Sequence, residues 1–261
     1  MTPYEAYHYP DFTAMAYRDM LVSAKEHYTF VDLRNKDGVD GPTIINRHDI
    51  DFSVQRALSM AVIEESLGIR SVYFVNPHSE FYNPLERSLA DILSKMRDLG
   101  HDIGLHFDSH YWGVTNANAL DRYLSIDRDI LENALGIEVT SFSFHNTTPF
   151  TMSCDADEYA GLANAYARSL FDRYKYCSDS NGYWRYDRMP SLIGSRAHPH
   201  LYLLTHPVWW TNEVLSPWEK IVRAVRGRAD AGLDLYRSHL QKMGMQNIGY
   251  EDSMTDRQVG P

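Results

Sequence analysis

The feature that most constrains the fold is a regular alternation of short apolar strands with amphipathic helices. Strands are predicted at 43–48, 71–75 and 141–144, and helices at 54–67, 85–99 and 118–135. Helices of this length between strands are typical of parallel crossover connections, which build an α/β barrel or a doubly wound sheet. We therefore predict an α/β fold, whose chemistry should collect at the C-terminal ends of the strands.

The chain is long enough to bury a complete core. It has 261 residues, of which 44% are hydrophobic, and α/β barrels of this size are commonly undivided. We predict one domain over residues 1–261. Residues 244–261 show no periodicity and are interpreted as a terminal tail.

The charge balance excludes one class of partner. The chain has 25 basic and 35 acidic residues and a formal net charge of −10, which disfavours binding to nucleic acid or to anionic membranes. The N-terminus lacks the pattern of an export signal, and no stretch is apolar enough to cross a membrane, so we expect a soluble cytoplasmic protein. A homo-oligomer is left open.

The two cysteines, Cys154 and Cys177, show neither a CxxC spacing nor the density of a disulfide framework. We predict free thiols, with one bridge between the two as the alternative.

The segment Gly100–His110 holds two histidines four residues apart. His106 and His110 would face one point if the segment turned helically. Upstream, Asp49 and Asp51 follow a buried strand and point to the same side of it, where two carboxylates require a cation or a proton between them. One carboxylate and two imidazoles form the three-ligand set of catalytic zinc. The alternatives are a solvated acidic loop and packed core histidines.

Other polar side chains also follow apolar strands. His145 comes after the strand at 141–144 and could orient a carboxylate or contact a substrate. His206 ends another apolar strand beside Trp209, and a histidine there can donate a proton near neutral pH. For both histidines the alternative is a packed structural role.

A third group of side chains could orient or bind a substrate. Asp179 could hold a catalytic histidine through a hydrogen bond, and Trp184 could line a sugar-sized cleft, because aromatic faces pack on apolar ring faces. His48, next to the acidic pair, is counted with them, as is Trp209. The alternative for 178–185 is a turn with a packed tryptophan.

These segments resemble the motifs of a known family. Gly100–His106 followed by His110 resembles the second motif of the polysaccharide deacetylases (carbohydrate esterase family 4, NodB-type domains), which reads GHEIGNH with a second histidine at H-x3-H spacing. Arg47–Asp51 looks like a variant of the first motif, TFDDG, and Leu203–His206 is similar to the closing motif. The resemblance covers about residues 40–210.

The resemblance implies a single distorted (β/α) barrel that binds Zn²⁺ or a similar divalent cation through Asp51, His106 and His110. It implies Asp49 as the general base that activates water and His206 as the acid that protonates the leaving amine. The implied reaction removes an N-acetyl group from a sugar or sugar conjugate. We expect a divergent branch of the kind found with bacterial surface-polysaccharide (lipopolysaccharide O-antigen or capsule) biosynthesis, acting on a nucleotide-linked or lipid-linked sugar.

The chain also departs from the family pattern. An isoleucine separates Asp49 from Asp51, so which carboxylate binds metal and which acts as base stays open. His145 stands where the third motif carries an arginine, and Asp179 with Trp184 matches the fourth motif only loosely. Two alternative functions therefore remain. They are hydrolysis of another C–N amide bond on the same scaffold, and carbohydrate binding without catalysis.

Overall fold

The structure is a computed structural model, and it describes residues 2–34, 36 and 38–250. The strands of this part of the chain are β1 (Thr29–Phe30), β2 (Thr43–Ile50), β3 (Val72–Val75), β4 (Asp102–Asp108), β5 (Ser141–His145), β6 (Glu158–Tyr159), β7 (Leu162–Asn164), β8 (Lys175–Ser178) and β9 (His200–Thr205). The strands predicted at 43–48, 71–75 and 141–144 are confirmed as β2, β3 and β5.

The strands form one sheet in which β2 is central, pairing with β1, β3 and β9. The order is β6-β7-β5-β4-β3-β2-β9-β8, with β1 beside β2. Among the described strands every pair is parallel except β6 with β7. The path of paired strands does not close from β8 back to β6 in this part of the chain. The predicted α/β class and distorted (β/α) barrel are confirmed.

The longer helices connect these strands. The helices are α1 (Pro3–Ala6), α2 (Ala14–Lys25), α3 (Val54–Ser66), α4 (Arg87–Asp98), α5 (Ser109–Trp112), α6 (Ala117–Leu135), α7 (Pro149–Met152), α8 (Arg168–Arg173), α9 (Met189–Ser195) and α10 (Pro217–Lys242). Ser53 caps α3 by accepting a hydrogen bond from the Arg56 amide, and α6 ends at Gly136 with a φ of 62°, as helix ends favour. The three predicted crossover helices are confirmed as α3, α4 and α6.

The sheet buries apolar side chains on both faces, as is typical of a parallel sheet. On one face Leu105 and Phe142 belong to a cluster that includes Leu93 of α4. On the other face Phe74 belongs to a second cluster. A Cβ at Gly104 would lie 2.5 Å from the Phe74 ring, so glycine at this position lets the ring pack flat on β4.

The described residues fall into two compact units that divide between Ile221 and Val222. The second unit contains the remainder of α10, on which Leu233 and Tyr236 are exposed. The predicted tail begins within this unit, and its residues 251–261 lie outside the described residues. No helix in the described ranges is both long and apolar enough to cross a membrane. Cys154 and Cys177 are buried free thiols, as predicted.

Glu64 of α3 is a fully buried carboxylate on the helix-covered face of β2. Its Oε1 lies 2.7 Å from His48 Nε2 and accepts a hydrogen bond of 2.7 Å from Asn46 Nδ2, while Oε2 accepts one of 2.7 Å from the Tyr73 hydroxyl. Tyr17 also donates to Glu64. Burial alone raises the pKa of Glu64, but the charge of His48 and these hydrogen bonds outweigh it and lower the pKa.

We expect Glu64→Gln to lower the free energy of unfolding at pH 7 by about 3 kcal/mol, the loss typical of breaking a buried charged pair. Because folding lowers the pKa of Glu64, its contribution is present above the ordinary carboxyl pKa of about 4.3 and is lost as the pH falls through the lower folded-state value. Urea unfolding at pH 7 and in acid checks both effects. The exposed neighbour Glu65→Gln is the control, and equal stability of the two variants would contradict the prediction.

Candidate metal centre and active site

Three parallel strands bring the predicted site residues to one edge of the sheet. Asp51 directly follows β2, His106 lies in the second half of β4, and His145 is the last residue of β5. The register places His106 beside Ser143 and Asp108 beside His145. Their side chains lie on the same face of the sheet as Phe74, which pairs with Asp49. The site was predicted from the position of these residues at or just past the ends of strands, and the structure shows them there.

Asp51, His106 and His145 form a compact group of potential metal ligands. Asp51 Oδ1 lies 3.2 Å from His106 Nε2 and 3.4 Å from His145 Nδ1, and the two ring nitrogens are 3.1 Å apart. One ligand atom from each residue lies within 4.8 Å of the others. Three lone-pair donors this close require a proton or a cation among them, and this donor set is one that catalytic zinc uses. The residues present therefore fit a divalent metal.

Electrostatics within the group also favour a cation. Burial raises the pKa of Asp51, but hydrogen bonds from His106 and His145 outweigh it and lower the pKa. Burial lowers the pKa of His145, but the hydrogen bond to Asp51 and the nearby carboxylates outweigh that and raise it. His106 Nδ1 lies 2.7 Å from Ser143 Oγ, which orients the ring with Nε2 towards Asp51.

His110 is not part of this group. It lies in α5, its Nε2 is 2.9 Å from the Asn146 carbonyl oxygen, and its side chain lines the adjoining cavity. The reason is local structure, since β4 continues to Asp108, whose side chain then caps α5. His106 and His110 therefore occupy a strand and a helix, and the i, i+4 rule for one helix face does not apply. The structure brings His145 to Asp51 and His106 instead.

Asp49 is held by a buried arginine. Arg47 Nε donates to Asp49 Oδ1 at 2.9 Å and Arg47 Nη2 to Oδ2 at 2.7 Å, so the pair is bidentate. Burial raises the pKa of Asp49, but the Arg47 charge outweighs it and lowers the pKa. Asp49 Oδ2 is also 3.9 Å from His106 Nδ1. The carboxylate is therefore fixed and ionised beside the candidate ligands.

His206 reaches the group from the other side. It follows β9, and its Nε2 lies 3.9 Å from Asp51 Oδ2. Its Nδ1 lies 2.6 Å from Asp179 Oδ1, and Asp179 also accepts a 2.8 Å hydrogen bond from Trp210 Nε1. Burial lowers the pKa of His206, but the charges of Asp179, Asp51 and Asp49 outweigh it and raise the pKa to about 9. The predicted contact of Asp179 with a histidine is present.

Two other predicted substrate-binding side chains, His48 and Trp184, make their hydrogen bonds outside this group, and the ring of Trp209 lies 6.4 Å from that of Phe52. His48 is fully buried on the opposite face of β2, where it contacts Glu64 and Thr205. Trp184 donates from Nε1 to Asp11 at 2.7 Å. Trp209 is 7% exposed.

A cavity of about 290 Å³ adjoins the candidate ligands. The residues that line it include Asp51, His110, Tyr111 and His145. Its volume is close to the lower end for small-molecule sites, roughly 300 to 1,000 Å³. A substrate placed here would contact the metal-ligand group directly.

Two features of the site were not predicted from the sequence. Arg47 lies two residues before Asp49, and strand alternation alone puts both side chains on one face. The sequence therefore indicates that Arg47 and Asp49 share a face, but no role for Arg47 was predicted from it. His78 also lines the cavity and pairs with Asp127 at 2.7 Å. No local sequence pattern connects those two residues.

The chain is similar in fold to carbohydrate esterases. A Xyl-CE4 domain of a multidomain xylanase from the hindgut metagenome of Trinervitermes trinervoides has a TM-score of 0.43 and 11% identity, over 81% of this chain and 96% of that domain. A family 4 carbohydrate esterase from Bacillus anthracis has a TM-score of 0.44 and 17% identity, over 83% and 86%. A family 4 enzyme from Streptomyces lividans, in complex with acetate, has a TM-score of 0.43 and 15% identity, over 75% and 91%. No protein-family model and no curated protein matches the chain.

Proposed function

We propose that this chain is a metal-dependent hydrolase that removes the N-acetyl group of a sugar. The observation that supports it is the arrangement of Asp51, His106 and His145 between an arginine-held Asp49 and an Asp179-held His206. A three-donor centre flanked by one base and one acid is what amide hydrolysis by activated water requires. The sequence motifs point to the same reaction.

The roles divide between the two carboxylates by their contacts. Asp51 contacts both imidazoles and would hold the metal with them. Asp49 is paired with Arg47 and is left to act as the base that takes a proton from the attacking water. A bound divalent metal would lower the pKa of water and polarise the amide carbonyl. Zinc is the metal that this donor set fits best.

His206 would protonate the leaving amine. Its raised pKa, about 9, keeps the imidazole protonated near neutral pH, so it can give up the Nε2 proton to the nitrogen as the C–N bond breaks. Asp179 holds Nδ1 and thereby keeps Nε2 directed towards the Asp51 side of the site. The proposed acid, His206, is thus held by a carboxylate, and the proposed base, Asp49, is held by an arginine.

We further propose a carbohydrate substrate of the surface-polysaccharide type, in which the acetamido group enters the cavity beside Asp51. A nucleotide or lipid carrier on that sugar would lie outside the cavity, whose volume of about 290 Å³ suits little more than one sugar ring.

The test is acetate release by the purified chain from a panel of N-acetylated sugars, with zinc and with a chelator. We expect release with zinc, loss of release with chelator, and a rate lower by about 10² or more in His206→Ala, because general acid catalysis contributes 10²–10⁴. His200→Ala, at the first residue of β9, is the control. Absence of acetate from every sugar, or an unchanged rate in His206→Ala, would refute the proposal.

A further inference from the structure

The cavity beside the candidate metal centre contains a second histidine held by a buried carboxylate. His78 follows β3, and its Nε2 lies 2.7 Å from Asp127 Oδ1. Asp127 belongs to α6 and is fully buried. Its Oδ2 accepts a 3.0 Å hydrogen bond from Trp112 Nε1. The proposed reaction uses neither His78 nor Asp127.

The His78 ring is also fixed by aromatic contacts. It stacks on Tyr111 with ring centroids 3.7 Å apart and planes at 10°, and it meets the edge of Trp112 at 5.4 Å. The His78 amide donates to Asn76 Oδ1 at 2.8 Å, which fixes the backbone below the ring. A side chain restrained in this way has lost its conformational freedom before a ligand arrives, which favours binding.

The remaining ring nitrogen, Nδ1, is open to the cavity. Among the described residues no side chain or backbone group hydrogen-bonds to it, and the only buried unpartnered side-chain atom of those residues is Ser109 Oγ. Nδ1 is therefore accessible, and His78 lines the same cavity as Asp51 and His145. Because a carboxylate oxygen accepts, Nε2 carries a proton, and Nδ1 is the ring atom left to form a hydrogen bond with a ligand.

The charges around the cavity limit what can bind there. Its lining, all within the described residues, includes the carboxylates of Asp51, Glu80 and Asp108 and neither lysine nor arginine. Carboxylates repel a phosphate, whereas a neutral hydroxyl can form a hydrogen bond with Nδ1 without a charge penalty. The cavity therefore fits a neutral, hydroxyl-bearing ring.

We infer that His78, held by Asp127 and stacked on Tyr111, is a specificity-determining residue that forms a hydrogen bond through Nδ1 with a ring hydroxyl of the substrate. The inference rests on the proposed function for the identity of that substrate as a sugar. It defines a second point of attachment for the sugar, in the cavity that Asp51 and His145 also line.

The first test uses the wild-type chain and requires no catalysis. Methyl glycosides of N-acetylglucosamine, N-acetylgalactosamine and N-acetylmannosamine, and their monodeoxy analogues, are titrated while the ¹⁵N resonance of His78 Nδ1 is followed by NMR. We expect a saturable shift with at least one parent sugar and loss of the shift when one particular hydroxyl is removed. No shift with any sugar, or an equal shift with every deoxy analogue, would overturn the inference.

The second test uses His78→Phe, which keeps the ring stacked on Tyr111 and removes Nδ1, with His27→Phe as the control because His27 also packs on a tyrosine, Tyr28. Loss of one hydrogen bond predicts about tenfold weaker sugar binding and a KM about tenfold higher, with kcat within about twofold. The variant should not distinguish the parent sugar from the critical deoxy analogue. Melting curves verify that it is folded.

The outcomes separate this inference from the proposed function. If no acetate is released but His78→Phe weakens sugar binding, the deacetylase proposal fails and the role of His78 stands. If acetate is released and His78→Phe matches the wild-type chain on every sugar, the role of His78 fails and the deacetylase proposal stands.

Discussion

His145→Ala is expected to abolish zinc binding, and His110→Ala is expected to leave it intact. His145 Nδ1 lies 3.4 Å from Asp51 Oδ1 and 3.1 Å from His106 Nε2, whereas His110 Nε2 contacts a backbone carbonyl oxygen. Loss of a residue that only hydrogen-bonds to a metal ligand already costs about 10–100-fold in metal affinity. Loss of a ligand itself should therefore cost more than about 100-fold. Loss of the metal should also slow acetate release by about 10³-fold or more.

The two variants are matched because each removes one imidazole from the same cavity. Elemental analysis and competition with a zinc indicator measure occupancy, and melting curves measure folding. Zinc lost from His110→Ala and retained by His145→Ala would contradict the ligand set and favour the His-x3-His pair that the sequence suggested. Loss from both would indicate a centre that recruits His110 as a fourth ligand.

The fold was predictable because its signals are local. Each crossover helix has an apolar face and a terminating residue, as at Gly136, and an inner strand such as β2 has apolar, β-branched residues near its start. Placing Asp51, His106 and His206 at one edge required only that parallel strands end together. These predictions needed no knowledge of which side chains touch.

The place of His145 beside Asp51 and His106 was not predictable because it depends on where a strand ends. His106 and His110 have helical spacing, but β4 extends two residues beyond His106 before α5 begins. A spacing of four residues then spans two elements, and side-chain direction is no longer given by helix periodicity. The sequence indicates only that His145 follows a strand, and the pairing of β4 with β5 shows that it adjoins His106.

Pairs that join distant parts of the chain were also outside the reach of sequence patterns. Glu64 lies on a helix whose other polar residues face water, so its burial with His48 has no sequence signature. Asp127 is likewise one of several acidic residues on the amphipathic helix α6, and its burial has no sequence signature either. In both cases a buried carboxylate is tolerated because hydrogen-bond donors from other elements surround it.

Arg47 restrains Asp49 from within the same strand. His145 on β5 belongs to the candidate metal-ligand group, and the guanidinium that pairs with Asp49 comes from β2 itself. It packs over the rings of Phe74 and Tyr166, with its carbon 5.3 and 4.8 Å from their centroids. Stacking on aromatic rings stabilises a buried guanidinium and replaces the contacts with water that it loses on burial.

Asp49→Asn and Asp51→Asn are expected to abolish the same activity for different reasons. Asp49→Asn removes the proposed base and should slow acetate release by about 10³-fold while zinc stays bound, since general base catalysis contributes 10²–10⁴. Asp51→Asn should lose zinc and activity together, because Asp51 contacts both candidate imidazole ligands. Zinc content and acetate release, measured on the same preparations, separate the two roles. Zinc lost from Asp49→Asn and retained by Asp51→Asn would exchange the assignments.

The stability of these variants provides the control for a purely structural effect. Asp49→Asn leaves the buried Arg47 without its carboxylate, and we expect a loss of about 3 kcal/mol in the free energy of unfolding. The double variant Arg47→Met/Asp49→Leu replaces the buried pair with apolar side chains and should recover most of that stability. It should not recover acetate release, because an apolar side chain cannot take a proton from water. Recovery of activity with stability would show that Asp49 acts on the fold and has no part in the proton transfer.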